Sequence, residues 1–202
     1  MTLTHFAIIA VCAYLLGSLS FAIIVSKLTL GKDIRNYGSG NAGLTNAYRT
    51  MGAKKTLLVL LGDIAKGAAA VSIGMVLAGP VGKLTAGIFV ILGHMFPLYF
   101  GFKGGKGILC SGTLLLLLDW RIAAVGWGLF ALLWLTTRYV SLGSVSGAVS
   151  FPVTTLIFCP GNWTVFVLSL LIAALVIWAH RENISRLLHG TESRFRWHTD
   201  AP

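Results

Sequence analysis

The sequence predicts an all-helical integral membrane protein, on three observations. Of its 202 residues, 56% are hydrophobic and only 11% charged, against about a quarter charged in soluble domains. The mean hydropathy is +0.83, so there is too little polar surface to cover a water-soluble globule and too much apolar surface for disorder. The charges that do occur fall at the ends of long apolar runs, as they do in bilayer-spanning chains. The length predicts a single domain over 1–202, with 195–202 as a disordered tail.

The uncharged runs define the elements in order. Thr2–Ser26 has neither a basic n-region nor an A-x-A site, and reads as a retained span rather than a removed signal. Lys55 to Lys83 is apolar except for Asp63 and Lys66, and forms a second span; Leu84–Phe102 forms a third. Gly107–Leu118 is short for a bilayer, and reads as tilted, re-entrant or extended into its flanks. Ile122–Thr137 is the next span. Tyr139–His180 divides into two at Cys159-Pro160-Gly161-Asn162, a turn signal. Counting the short run, seven transmembrane helices are expected.

Basic residues orient the chain. The first connection carries Lys27, Lys32, Arg35, Arg49, Lys54 and Lys55; the following ones carry Lys83, then Lys103 and Lys106, then Arg121 beside Asp119, then Arg138, then no charge, and the tail carries Arg181, Arg186, Arg194 and Arg196. The alternation predicts an N-terminus outside and a C-terminus in the cytoplasm. Segments 27–55, 101–107, 138–141 and 180–196 then share the cytoplasmic face. The net charge of +10 would suggest nucleic acid in a soluble chain; here it marks span ends and anion sites, and no nucleic-acid partner is expected. Cys12, Cys110 and Cys159 lie in or beside apolar runs with no C-x-x-C spacing, which argues against a disulfide framework or a zinc site.

Four polar segments lie on the predicted cytoplasmic side. Gly38-Ser39-Gly40-Asn41-Ala42-Gly43-Leu44-Thr45-Asn46, followed by Arg49, contains a literal G-x-G-x-x-G with Asp63 twenty residues beyond Gly43. A dinucleotide site needs a strand before that loop and a βαβ unit around it, and membrane spans flank it here. The alternatives are a flexible connection or an anion cradle, whose donors are Ser39, Asn41, Thr45, Asn46, Arg49 and backbone N–H groups made approachable by Gly38 and Gly40. The second segment, Gly93-His94-Met95-Phe96-Pro97 running into Phe102-Lys103-Gly104-Gly105-Lys106-Gly107, fails the P-loop spacing at Phe100 and Gly107. Two lysines among glycines that open an apolar span still suit phosphate, and His94 is a further candidate for binding. The third is Arg138-Tyr139-Val140-Ser141, where the arginine also suits an interfacial anchor. In the fourth, His180-Arg181-Glu182-Asn183 through Gly190-Thr191-Glu192, His180 and Asn183 share a helix face. The arginines there suit an amphipathic helix on anionic lipid, which leaves the His–Asn pairing unexplained. Asp63 and Lys66, three apart inside a span, are expected as a structural ion pair.

Anion cradles beside lipid suggest a substrate with phosphate and acyl groups. G-x-S-x-G, H-E-x-x-H, paired carboxylates and the H-x-x-x-x-D box of common glycerolipid acyltransferases are all absent. A small phosphate-ester transporter would show similar halves and midplane charges, and a lipid-binding scaffold would not need four polar segments on one side.

GSGNAGLTNAYR at 38–49, GHMFPLYFGFKGGKG at 93–107 and HRENISRLLHGTE at 180–192 closely resemble the motifs of the bacterial acyl-phosphate–glycerol-3-phosphate acyltransferases, the PlsY family. The likeness extends over essentially the whole chain and departs from the usual pattern at Leu44 and at Ile108-Leu109-Cys110. It implies seven membrane helices with cytoplasmic motifs in the bacterial inner membrane. The implied reaction is acyl transfer from acyl phosphate to the 1-hydroxyl of glycerol 3-phosphate, giving lysophosphatidate and phosphate, the first committed step of bacterial phospholipid synthesis. The sequence shows no metal site, so no cofactor is expected. Ser39, Arg49, Lys106, Ser141, His180 and Asn183 are then expected to be catalytic. Gly38, Gly40, Asn41, Thr45, Asn46, His94, Lys103, Gly104, Gly105 and Gly107 are expected at substrate, with Ser141, His180 and Asn183 completing the glycerol 3-phosphate site. Asp63, Lys66 and Glu192 are expected to be structural, Glu192 pairing an arginine. Acyl phosphate is a mixed anhydride with a good leaving group, so no enzyme nucleophile is required. The hydroxyl proton goes either to His180 or to a phosphate oxygen of the donor.

Overall fold

The computed structural model describes residues 1–197, and every regular element among them is helical. Helix α1 (Leu3–Gly17) is capped by the Thr2 side chain and gives way at Ser18-Leu19-Ser20 to α2 (Phe21–Leu30). Helix α3 (Leu44–Met95) is followed by α4 (Ile108–Leu118), α5 (Trp120–Thr137), α6 (Val140–Phe158), α7 (Trp163–Ala179) and α8 (Arg181–Leu188). Two single 3₁₀ turns, Ile34–Asn36 and Leu98–Phe100, lie in the connections on either side of α3.

At 52 residues α3 is far longer than any bilayer requires; Gly52 breaks it near its start at φ 73, and a second break divides the rest into two arms. Ala78 and Gly79 leave helical geometry, Gly79 at φ 60, and Pro80 follows without an N–H to donate. The second arm folds back on the first: a Cβ at Gly74 would overlap the Gly82 carbonyl and lie 2.7 Å from Ala86 Cβ. The sequence reading put this boundary at Lys83. The reversal is at 78–80, because a charge marks proximity to water whereas the Gly-Pro pair breaks the backbone.

The residues form two compact units, 1–110 and 111–197. In the first, α1 runs alongside the second arm of α3, and small residues permit the close approach. A Cβ at Gly17 would overlap Val90 O and one at Gly93 would overlap Tyr14 O, the small-residue contact by which helices associate in lipid. Tyr14 Oη donates to Phe96 O at 2.6 Å and fixes the end of that pair. Helix α2 lies antiparallel to the first arm, with Phe21 against Gly62 and a buried cluster of Ala22, Ile23, Val25, Ile34, Ala42, Ala47, Met51 and Val59. Lys66 Nζ donates to Leu19 O at 2.7 Å, at the α1–α2 break, and pairs with Asp63 at 2.7 Å. The expected ion pair thus also supplies a donor to a carbonyl exposed by the broken helix.

In the second unit, Asp119 caps α5 by accepting from Arg121 N, and the Arg121 guanidinium bonds both Asp119 and Phe158 O. This arginine holds the Asp119 carboxyl down at about 2. Helices α5 and α6 approach through glycines: a Cβ at Gly147 would lie 2.9 Å from Gly126 O, and one at Gly143 would lie 2.7 Å from Phe130 O. Helix α7 starts on an Asn162 cap after the expected turn and packs on α6. At His180 the chain bends by 61° into α8. Phe195, expected in a disordered tail, is buried; its N–H donates to Arg138 O at 2.7 Å and its ring meets Trp134 edge-on at 5.2 Å. The rest of that predicted tail, 198–202, lies outside the described residues.

By length and composition, four helical stretches among the described residues suffice to cross a membrane: Leu3–Leu30, Leu44–Phe100, Trp120–Thr137 and Val140–Phe158. The bent pair α7–α8 makes a fifth.

Candidate active site

In the first unit the two glycine-rich segments meet at one end of the helix bundle. Asn46, in the first turn of α3, organises the first of them. It is buried; its Oδ1 accepts from Ser39 N at 2.8 Å, and its Nδ2 faces the carbonyls of Ile34, Tyr37 and Asn41 at 3.2, 3.0 and 2.9 Å. Both ends of the amide are therefore bonded to the loop, and Asn46 shapes the cradle from behind. Gly38 and Gly40 take φ of 59 and 71 on either side of Ser39. Ser39 is exposed, while Asn41, Thr45 and Arg49 are half-buried. Asn41 Nδ2 reaches Gly104 O at 3.4 Å, bridging to the second segment.

That second segment turns back on its own helix end. Gly104 N–H donates to Met95 O and Gly105 N–H to His94 O, both at 3.1 Å. A Cβ at Gly104 would overlap His94 O, and one at Gly105 would overlap His94 Nε2. The N–H groups of Gly104 and Gly105, two residues expected around phosphate, are bonded within the protein. The residues are glycine because the loop lies directly on His94. His94 is buried, with Nδ1 3.0 Å from Lys66 Nζ and 3.7 Å from Asp63 Oδ1. It belongs to the interior ion cluster with Lys66 and Asp63. Lys103 is exposed, Lys106 half-buried and Gly107 buried at φ 79 as α4 begins.

Arg35, read from the sequence only as a charge that orients the chain, and Asp33, which that reading did not single out, complete this end. Asp33 accepts from Arg35 Nε at 3.0 Å and Nη2 at 2.8 Å, and Arg35 Nη1 reaches Phe100 O at 2.5 Å and Lys103 O at 3.2 Å. The hydrogen bond from Arg35 holds the Asp33 carboxyl below its ordinary range, and in return Asp33 raises the guanidinium. The signal available in the sequence was the acid–base pair two apart in an otherwise acid-free connection.

In the second unit a separate polar cluster forms around Glu192. One carboxylate oxygen accepts from Ser141 Oγ and Asn183 Nδ2, each at 2.7 Å, and the other from Arg186 Nε at 2.7 Å. Burial pushes this carboxyl up, but the three hydrogen bonds together outweigh it and leave it below the usual range. The arginine partner expected for Glu192 is Arg186. Ser141 and Asn183 are buried, and Glu192 orients both of them. His180, also buried, holds Nδ1 2.8 Å from Val176 O. A carbonyl only accepts, so the neutral ring carries its proton on Nδ1 and its lone pair on Nε2. Each unit therefore gathers cations and fixed polar groups at loops beside apolar helices. Such groups can hold an anion and orient a hydroxyl.

Residues 7–190 match the family model described as glycerol-3-phosphate acyltransferase. A protein of that name from Thermoanaerobacter sp. (strain X514) is 42% identical over 95% of this chain and 96% of its own. Glycerol-3-phosphate acyltransferase 2 of Bacillus anthracis is 41% identical over 91% of this chain and 96% of its own. The crystal structure of PlsY, an integral membrane glycerol 3-phosphate acyltransferase, in its glycerol 3-phosphate form superposes with a TM-score of 0.88. It is 37% identical and covers 95% of this chain and 96% of that one. The lysophosphatidic acid form gives 0.85 at 35% identity.

Proposed function

Because the chain belongs to the glycerol-3-phosphate acyltransferase family, we propose that it transfers a fatty acyl group from acyl phosphate to the 1-hydroxyl of glycerol 3-phosphate in a bacterial inner membrane. The observation that carries this reading is the likeness, over nearly the whole chain, to a membrane acyltransferase in its glycerol 3-phosphate form. The whole chain acts as one membrane-embedded acyltransferase. Seven crossings follow when the two arms of α3 count separately and α4 counts as a short span, and the basic connections then place the polar loops in the cytoplasm.

In the reaction the hydroxyl oxygen of glycerol 3-phosphate forms a bond to the acyl carbon, the acyl carbon–oxygen bond to phosphate breaks, and the hydroxyl proton leaves on the released phosphate. No acyl-enzyme forms. Lys103, Lys106, Arg49, Ser39, Asn41 and Thr45, with the backbone at Gly38, Gly40 and Gly107, hold phosphate; Ser141, His180 and Asn183 bind glycerol 3-phosphate. Positioning of two reactants supplies roughly 7–11 kcal/mol of a barrier, and the cations offset the repulsion of two phosphates. A phosphate oxygen of the donor takes the proton. His180→Ala therefore keeps its turnover at saturating glycerol 3-phosphate and raises KM; loss of turnover at saturation would instead make His180 the base.

The test of the reading uses purified protein in lipid with synthetic acyl phosphate and glycerol 3-phosphate, following phosphate and lysophosphatidate. Acyl-CoA and acyl carrier protein donors run beside it. Lysophosphatidate from acyl phosphate alone supports the assignment. Lysophosphatidate only from a thioester donor refutes the choice of donor, and no product from any donor refutes the reaction.

A further inference from the structure

The turn that delivers Lys103 contains a conformation its residues do not favour. Gly101 and Phe102 both lie in the left-handed region, at φ 67 and 59. A glycine adopts this freely, but in a phenylalanine it crowds Cβ against the following carbonyl. Such a residue persists only where its surroundings hold it.

The restraint is visible. The carbonyls that bracket this pair, Phe100 O and Lys103 O, both accept from the same Arg35 Nη1, at 2.5 and 3.2 Å. Between them, Phe102 N–H donates to Pro97 O at 2.9 Å. The other edge of the guanidinium is gripped by the two oxygens of Asp33, through Nε at 3.0 Å and Nη2 at 2.8 Å. Asp33 is fixed in turn by accepting from Arg35 N at 3.0 Å and by Lys27 at 3.8 Å. Only 23% of the Arg35 side chain and 17% of the Asp33 side chain are exposed. With both edges directed at protein, Arg35 acts as a strut between the two loops, and its effect falls on the residues immediately after the turn.

We propose that Asp33 and Arg35 are positioning residues for the acyl transfer: they lock the 100–103 turn so that Lys103, and Lys106 beyond it, are presented to substrate phosphate. This rests on the assignment of that loop to phosphate made above. A planar fork is required rather than a charge alone, because one guanidinium must face a carboxylate and two carbonyls together; an ammonium meets only part of that set.

The experiment uses the full chain in lipid with Arg35→Lys, Arg35→Gln, Asp33→Asn and the Asp33→Asn/Arg35→Gln double variant. Three quantities are read: kcat and KM for both substrates, inorganic phosphate binding by titration calorimetry, and the thermal midpoint. For Arg35→Gln, KM for a phosphate substrate and the Kd for inorganic phosphate rise about tenfold, kcat stays within about threefold and the midpoint is little moved. Arg35→Lys behaves like Arg35→Gln, and the double variant is no worse than Arg35→Gln because one device has been removed once. Rescue by Arg35→Lys, equal phosphate binding by wild type and Arg35→Gln, or a lowered midpoint with unchanged KM and Kd would each overturn the proposal. If the wild type made no lysophosphatidate, the functional reading would fail, and phosphate binding would still decide the strut.

Discussion

Removal of the Glu192 carboxylate should loosen the end of the second unit. Glu192 accepts from Ser141, Asn183 and Arg186, all at 2.7 Å, and only 8% of its side chain is exposed. In Glu192→Ala the buried Ser141 and Asn183 each lose an anionic acceptor, which costs about 1–3 kcal/mol apiece. Arg186 is 41% exposed and is rehydrated by water, so its share is discounted to near zero. The sum is about 2–6 kcal/mol, and a chain of this size loses about 2–4 °C of Tm per kcal/mol, so a fall of about 10 °C is expected. Glu192→Gln keeps an oxygen for Ser141 or Asn183 but turns an amide donor toward Arg186, and about half that fall is expected. Thermal unfolding in detergent, with amide exchange at 138–141 and 183–195 to localise the effect, measures both. The acid limb is a further check. The folded pKa of Glu192 lies below its ordinary 4.5, so its contribution is complete above that value and is lost as pH falls through the lower folded value. Wild type should therefore lose its advantage over Glu192→Gln below about pH 4.5. A Glu192→Ala midpoint equal to wild type, or exchange unchanged in both segments, would refute this account.

Three further outcomes follow from the geometry. Asn46→Asp should be worse than Asn46→Ser, because a carboxylate would face the carbonyls of Ile34, Tyr37 and Asn41 without a donor; a loss of about 2–4 kcal/mol together with raised KM, read by unfolding and initial rates, checks it. Gly104→Ala should destabilise by about 1–3 kcal/mol through overpacking, and by more than Gly105→Ala. The first clash is with the His94 backbone and the second with its ring, and paired melting curves decide the order. Asp119→Ala removes the α5 cap and should lower stability by about 1 kcal/mol above pH 4. This difference from wild type should vanish as pH falls toward 2, the folded value of the Asp119 carboxyl.

What the sequence determined by itself was set by neighbours along the chain. The run ending at Thr137, the turn at Cys159–Asn162 and the break at His180 match α5, the α6–α7 turn and the α7–α8 bend, because apolar length and local breakers act within a few residues. The same logic failed at Lys83, where charge was used as the punctuation and Gly79-Pro80 supplied it. The site was legible as a set of polar segments, and the structure shows which of their members are bonded within the protein. Asn46 and His94 look like ligands in the sequence, and the fold turns them inward, onto loop carbonyls and onto Lys66. Gly104 and Gly105 look like plain cradle residues, and the fold bonds their N–H groups to its own carbonyls. Arg35 looks like one more positive charge, until Phe100 and Lys103 arrive beside it from more than 60 residues away. A polar side chain must bond whatever buried partner lies nearest. That partner is brought by helices folding back on one another, so only the tertiary structure decides whether a motif residue faces a ligand or holds the loop that does.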